Sequence, residues 1–144
     1  MFSASVTADG HAARIGRGLV VLVGVERGDG SADVDYIARK VRELRVFADP
    51  ADPNKDFDRS VQEIGGEVMV VSQFTLAAAC RKGRRPSFDD AAPPDVAKPL
   101  YESVVAELQR AGLTVATGRF QAVMQVSLVN DGPVTLLLDS RKNF

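Results

Sequence analysis

The sequence predicts an α+β domain with a mainly antiparallel sheet. Three observations carry that reading. Short runs of β-branched residues bounded by turn residues recur from end to end, and only two stretches show helical periodicity. No repeat, low-complexity segment or linker divides the 144 residues. One domain, residues 1–144, is expected, long enough to bury roughly two-thirds of its unfolded surface.

The elements follow in order. "SASVTA" and "HAARIG" flank Asp9-Gly10 and read as a hairpin. "LVVLVGVE" is a nearly continuous apolar run, which suits a strand covered on both faces. In "SADVDYIARKVRELRVF", Val34, Ile37, Val41 and Leu44 share one helical face, with Asp33, Arg39, Lys40 and Glu43 off it; Ser31 or Asp33 can cap the start. "ADPADPNKDFD" is a loop. "GEVMVVSQFTL" is the next strong strand, introduced by Gly65-Gly66. Leu100, Val104 and Leu108 mark a second amphipathic helix ending near Gly112, with its regular part expected to start close to Pro99. "TVATGRF", "VMQVSLV" and "PVTLLLD" complete the strands.

Composition narrows the chemistry. A hydrophobic content of 45%, charged content of 26% and net charge of −1 are those of an ordinary globular chain, not of a polybasic nucleic-acid binder. No apolar run reaches the roughly 20 residues of a membrane helix, and no signal peptide opens the chain, so the cytoplasm is expected. The single cysteine, Cys80, excludes an internal disulfide framework. With one His and one Cys, no His/Cys-type metal site and no cofactor is expected. His11 follows a turn tip and reads as a solvated turn residue rather than a base. Charge is concentrated in one place: "CRKGRRPSF" gathers Arg81, Lys82, Arg84 and Arg85.

Two stretches break their own local rules. In "VVSQFTL" an apolar run gives way to Ser72, Gln73 and Thr75 where a buried strand should finish. Polar groups capping a strand end would explain it; so would a strand terminus that presents amides and hydroxyls to a substrate carbonyl, as an oxyanion site requires. In "NDGPVT" the Asp-Gly pair suggests a hairpin turn, but Pro133 occupies the position that should donate its N–H across the turn. An X-Pro bond makes a cis peptide accessible. With Gly132 before it, a cis unit could turn both flanking carbonyls to one side, an acceptor pair suited to an ammonium group.

"SQFTL" together with "NDGPVT" closely resembles the paired motifs of the D-aminoacyl-tRNA deacylase family, Ser-Gln-x-x-Leu and Asn-x-Gly-Pro-x-Thr. "GLVVLVGVE", "RKGRRPSF", "AAPP" and "TGRF" are similar to that family as well, so the likeness runs from about Ser5 to the C-terminus. It implies the family's barrel-like fold and a homodimer with two active sites at the subunit interface. It also implies a cis Gly132–Pro133 peptide whose carbonyls reach into the partner's pocket and hold the substrate α-amino group. There they would crowd the space of an L side chain and leave a D side chain or glycine accepted, including glycine mischarged on tRNA(Ala). Ser72, Gln73, Phe74 and Thr75 would line the opposite wall as the catalytic set, with the amides near Phe74 and Thr75 facing the ester carbonyl. Asn130 and Thr135 would support the turn. Family members usually begin with an extra strand carrying a Gln-Arg pair before the segment matching "ASVT". Here only "MFS" precedes it, an N-terminal strand shortened relative to the family, for which a mis-assigned start is the expected reason.

The bond at stake would be the ester between an amino acid and the terminal ribose of tRNA. Backbone amides supply much of the stabilisation, and the family likeness implies that the tRNA's vicinal hydroxyl helps to orient or activate water. The alternative makes Thr75 a covalent nucleophile, which needs an activating base. Arg81, Lys82, Arg84 and Arg85 are expected to contact the tRNA backbone, since their loop follows the proposed active strand. Two rival functions stand beside this one: a non-catalytic tRNA-binding or editing-like module, and a small-molecule esterase.

Overall fold

The structure, a computed structural model, describes residues 1–144. Strands β1 (Ser3–Ala8) and β2 (His11–Ile15) form the expected hairpin around Asp9-Gly10, with Ala8 opposite His11. β1 pairs on its other side with β8 (Gln125–Val129), closing a three-stranded antiparallel sheet in the order β2-β1-β8.

The second sheet is parallel. β3 (Gly18–Val23) lies beside β6 (Glu67–Ser72), and β6 beside β7 (Thr114–Thr117), all running the same way. Each parallel step is crossed by a helix: α1 (Ser31–Glu43) intervenes between β3 and β6, and α2 (Pro94–Arg110) between β6 and β7. Parallel neighbours require such a crossover, because a tight turn can only reverse the chain. The mainly antiparallel expectation is therefore corrected: the molecule has two helices and mixed sheets. No sheet closes into a barrel either. Sheets of three, three and two strands are too narrow to curl onto themselves.

The third sheet is the short pair β4 (Arg45–Phe47) and β5 (Arg59–Ser60). α1 thus stops at Glu43, and "RVF", expected within the helical stretch, is extended. α2 begins at Pro94, five residues before the expected start. Pro94 suits a first helical position, whose N–H has no partner in any case. Pro99 is tolerated inside, and the Ser103 hydroxyl donates to its carbonyl at 2.8 Å.

β6 explains the layering. Val68 and Val70 pack with Val34, Val41, Tyr101, Val104 and Leu108 under the helices. Met69 and Val71 face the other way, against Ala4, Val6 and Ile15 of the antiparallel sheet. Both faces of the strand are covered, so four consecutive apolar residues are required where a half-buried strand would alternate. Each of these side chains, 0–3% exposed, contributes about 1.5–3 kcal/mol of burial. Tyr101 fastens α2 to the same strand, its hydroxyl donating to the Val70 carbonyl at 2.9 Å. No helix is long and apolar enough to cross a membrane.

The final expected strand, "PVTLLLD", does not form in the protomer. Residues 133–138 belong to no sheet, and Leu136, Leu137 and Leu138 are 55%, 73% and 37% exposed. Their composition suits a strand, but they pair with none of the strands of their own chain.

Candidate active site

β6 ends at Ser72, whose Cα partner on β3 is Val23. The Gln73 amide donates to the Val23 carbonyl at 2.8 Å, and the chain then folds into one 3-10 turn, Phe74–Ala77. A strand that stops in this way turns its next amides away from the ladder. The first residues of a helical turn have no carbonyl ahead of them to accept their N–H, so the amides of Phe74 and Thr75 are left for an outside acceptor. The turn lies close against Gly24, where a Cβ would meet Leu76 Cβ at 3.0 Å and the Gln73 carbonyl at 3.2 Å. Phe74 and Thr75 are exposed, and the Gln73 side-chain amide donates to Thr75 Oγ1 at 3.1 Å. The group that touches the threonine hydroxyl is thus a donor, not a base.

The second motif lies at the end of β8, in the other sheet. The Gly132–Pro133 peptide is cis, and Gly132 has φ +128°, a conformation that suits glycine. The Asn130 side chain closes the turn by other bonds, since Pro133 has no N–H to give. Its Oδ1 accepts the Val134 N–H at 3.4 Å, while its Nδ2 donates to the Val134 carbonyl at 3.2 Å and to Thr135 Oγ1 at 3.3 Å. Within one protomer no hydrogen bond or ion pair joins residues 72–75 to residues 130–135; Phe74, Thr75 and residues 131–135 are exposed, and Ser72, Gln73 and Asn130 half-buried.

A profile described as D-Tyr-tRNA(Tyr) deacylase matches residues 1–139. A protein of Syntrophotalea carbinolica named D-aminoacyl-tRNA deacylase is 61% identical over 130 residues, covering 90% of this chain and 85% of its own. One of Heliobacterium modesticaldum with the same name is 58% identical, covering 94% and 89%. The chain belongs to the D-Tyr-tRNA(Tyr) deacylase family. With that membership it is an enzyme, a hydrolase. Among solved structures, one titled c-Myc DNA Unwinding Element Binding Protein superimposes with a TM-score of 0.87 at 38% identity over 95% of this chain and 92% of its own. Another, titled as a probable eukaryotic D-amino acid tRNA deacylase, gives 0.74 at 16% identity over 88% and 89%, a likeness of fold.

The basic residues singled out in the sequence lie in the loop after the 3-10 turn. Ala79 and Ser87 exchange two backbone hydrogen bonds of 2.8 and 2.9 Å, so residues 80–86 project as a closed loop carrying Arg81, Lys82, Arg84 and Arg85, all exposed. None of the four forms a salt bridge within the protomer. His11 is not the free turn residue expected; its Nε2 donates to the Thr117 carbonyl at 2.8 Å, which occupies it structurally. No cluster of three or more His, Cys, Asp or Glu side chains is placed to hold a metal ion.

Sequence reasoning missed Arg141, which ties down the chain after the exposed apolar segment. Its guanidinium donates to the Arg27 carbonyl at 2.6 Å and pairs with Asp29 at 2.8 Å and Glu26 at 3.5 Å. Burial pushes the Glu26 carboxyl above the usual range, and Arg141 opposes it. Asp33 is held below its usual value, first by the Gly30 N–H and then by the Ser140 hydroxyl. The segment bearing Gly132–Pro133 is therefore clasped by Asn130 at one end and by Arg141 at the other. The Arg141 contacts span more than 110 residues, which leaves no local pattern to find them by.

Proposed function

We propose that this chain hydrolyses the ester of D-aminoacyl-tRNA, and of glycyl-tRNA mischarged on tRNA(Ala), and rejects L-aminoacyl esters through the Gly132–Pro133 unit of a partner subunit. The observation that carries the reading is that the two motifs lie on separate sheets, each with main-chain groups unclaimed in its own protomer. A second copy can bring them together. The apolar edge favours such a copy: Leu128 and Val129 on β8 and Leu136 and Leu137 beyond it are all 47% exposed or more, and an unpaired apolar strand edge seeks a partner.

In the assembled site the Gly132 and Pro133 carbonyls accept the substrate α-ammonium. An L side chain would then point into them, and a D side chain away. Selectivity comes from a built-in clash rather than from a pocket for the correct side chain. Water attacks the ester carbonyl, and the amides of Phe74 and Thr75 hold the oxyanion that forms. Ser72 and Gln73 complete the wall. The leaving oxygen is that of the terminal ribose, and its vicinal hydroxyl orients the attacking water, since no side-chain base adjoins Thr75. Loss of one oxyanion donor typically costs about 10²- to 10³-fold, so two amides suffice for an already reactive ester. Arg81, Lys82, Arg84 and Arg85 hold the tRNA backbone, and the site needs no metal. A cytoplasmic location follows from this substrate.

The test is hydrolysis of matched D- and L-aminoacyl-tRNA with a chelator present. Rapid release of the D-amino acid with L-aminoacyl-tRNA spared is expected. Equal rates for both hands, or loss of activity with chelator, contradict the reading. The basic loop and a relative named for binding a DNA element favour a second reading, nucleic-acid binding without hydrolysis. The same assay separates the two, because a pure binder protects the ester.

A further inference from the structure

Phe88 lies outside both motifs, immediately after the basic loop. Its ring meets that of Phe74 edge to face, with centroids 5.1 Å apart and planes at 64°. Aromatic pairs of this kind are usually covered, in a core or at an interface. Here Phe74 is 60% and Phe88 39% exposed.

The frame beneath Phe88 is fixed by backbone bonds on both sides. Ser87 is locked to Ala79, and the Ala91 N–H donates to the Phe88 carbonyl at 3.1 Å. The Arg27 guanidinium donates to the Asp89 carbonyl at 2.7 Å, and the Arg27 amide to the Asp90 carbonyl at 2.9 Å. An exposed ring on so constrained a backbone is prepared for contact at little ordering cost.

What it contacts is indicated by its neighbours. The seven residues between Ala79 and Ser87 contain four exposed cations, on a chain whose net charge is −1. The carboxylates of Asp89 and Asp90 lie on the other side of the ring in sequence. An apolar protein surface has no use for four cations beside the rings. Unpaired nucleotides need this combination, a π-face for the base and adjacent positive charge for the phosphates.

We propose that Phe88, braced by Phe74, is a stacking platform for an unpaired base at the 3′ end of the RNA, with the flanking phosphates on the residue 80–86 loop. The proposal rests on the tRNA partner of the proposed function and names how the end of that RNA is gripped. Base stacking on one aromatic residue is worth about 5- to 150-fold in affinity.

The experiment uses an unacylated tRNA minihelix with 2-aminopurine replacing one unpaired 3′ base at a time. The full-length protein should quench one of these positions. Phe88→Tyr should keep the quench and the affinity, whereas Phe88→Leu and Phe88→Ala should lose the quench and bind about 5- to 150-fold more weakly. Phe88→Leu keeps apolar bulk, so its melting temperature and elution volume report whether folding or assembly has changed. Binding and quenching by Phe88→Leu equal to the wild type overturn the platform. A changed oligomeric state with unchanged RNA binding also overturns it, since the rings would then be covered by protein. If the wild-type protein quenches the probe but hydrolyses no D-aminoacyl-tRNA, the deacylase reading fails and the platform stands. If it hydrolyses and the quench ignores Phe88, the platform alone fails.

Discussion

The Asn130 side chain accepts the Val134 N–H at 3.4 Å, spanning the proline that has no N–H of its own. The turn is closed by a side-chain acceptor that takes the next backbone N–H, and no hydrogen bond engages the Gly132 and Pro133 carbonyls within the protomer. Asn130→Ala should therefore cost only about 1 kcal/mol of stability, as expected for an exposed hydrogen-bonded group. Its effect on turnover of D-aminoacyl-tRNA should be larger, about tenfold or more, because displaced carbonyls misplace the substrate amine. Asn130→Asp keeps the acceptor and loses the donor to Thr135, and should fall between the two. Denaturant unfolding beside steady-state kinetics checks the split.

Thr75 is touched by a donor, the Gln73 side-chain amide. That contact stabilises the hydroxyl oxygen as an acceptor and does nothing to remove its proton. Thr75→Ala and Thr75→Val should retain turnover within about tenfold, since the backbone amides remain. Abolished turnover in both, with the fold intact, would restore the covalent mechanism.

Tyr101 sets a pH limit at the alkaline end. Burial, and secondarily Glu102, push its phenol up to about 12 from 10.0. A raised phenol pKa gives stability that is complete below the unfolded value and disappears as pH climbs through the folded one. Tyr101→Phe should cost about 1 kcal/mol at neutral pH through loss of the bond to Val70. The gap to wild type should narrow between pH 10 and about 12. The ultraviolet titration of the variant should lack the late phenolate step.

The basic loop predicts salt dependence. Neutralising two of Arg81, Lys82, Arg84 and Arg85 should weaken tRNA binding and flatten the slope of log K against log salt by roughly 1.5. An unchanged slope removes the loop from the interface.

What the sequence made legible followed from local rules. The Asp9-Gly10 hairpin, the apolar stripe of α1 and the double-sided burial of β6 are each encoded within a dozen residues. The direction of β3, β6 and β7 was not, because strand pairing across a crossover leaves no trace in either strand, although the unbroken "LVVLV" run already favoured a strand covered on both faces. α2 began earlier than expected because Pro94 offered a better first position than Pro99. Residues 133–138 carry the pattern of a strand, yet they pair with no strand of their own chain. Both site motifs were visible as breaks in local rules, but the Arg141 clasp and the Phe74–Phe88 contact join residues too distant to be read together.

The most direct measurement is complementation between two disabled subunits. One carries changes at Ser72 and Gln73, the other at Gly132 and Pro133, and each homodimer should be inactive on D-aminoacyl-tRNA. Mixed dimers should regain activity, because one of their two sites pairs an intact strand end with an intact turn from the neighbour. Mixtures that stay inactive despite forming dimers would show that both motifs serve the same protomer.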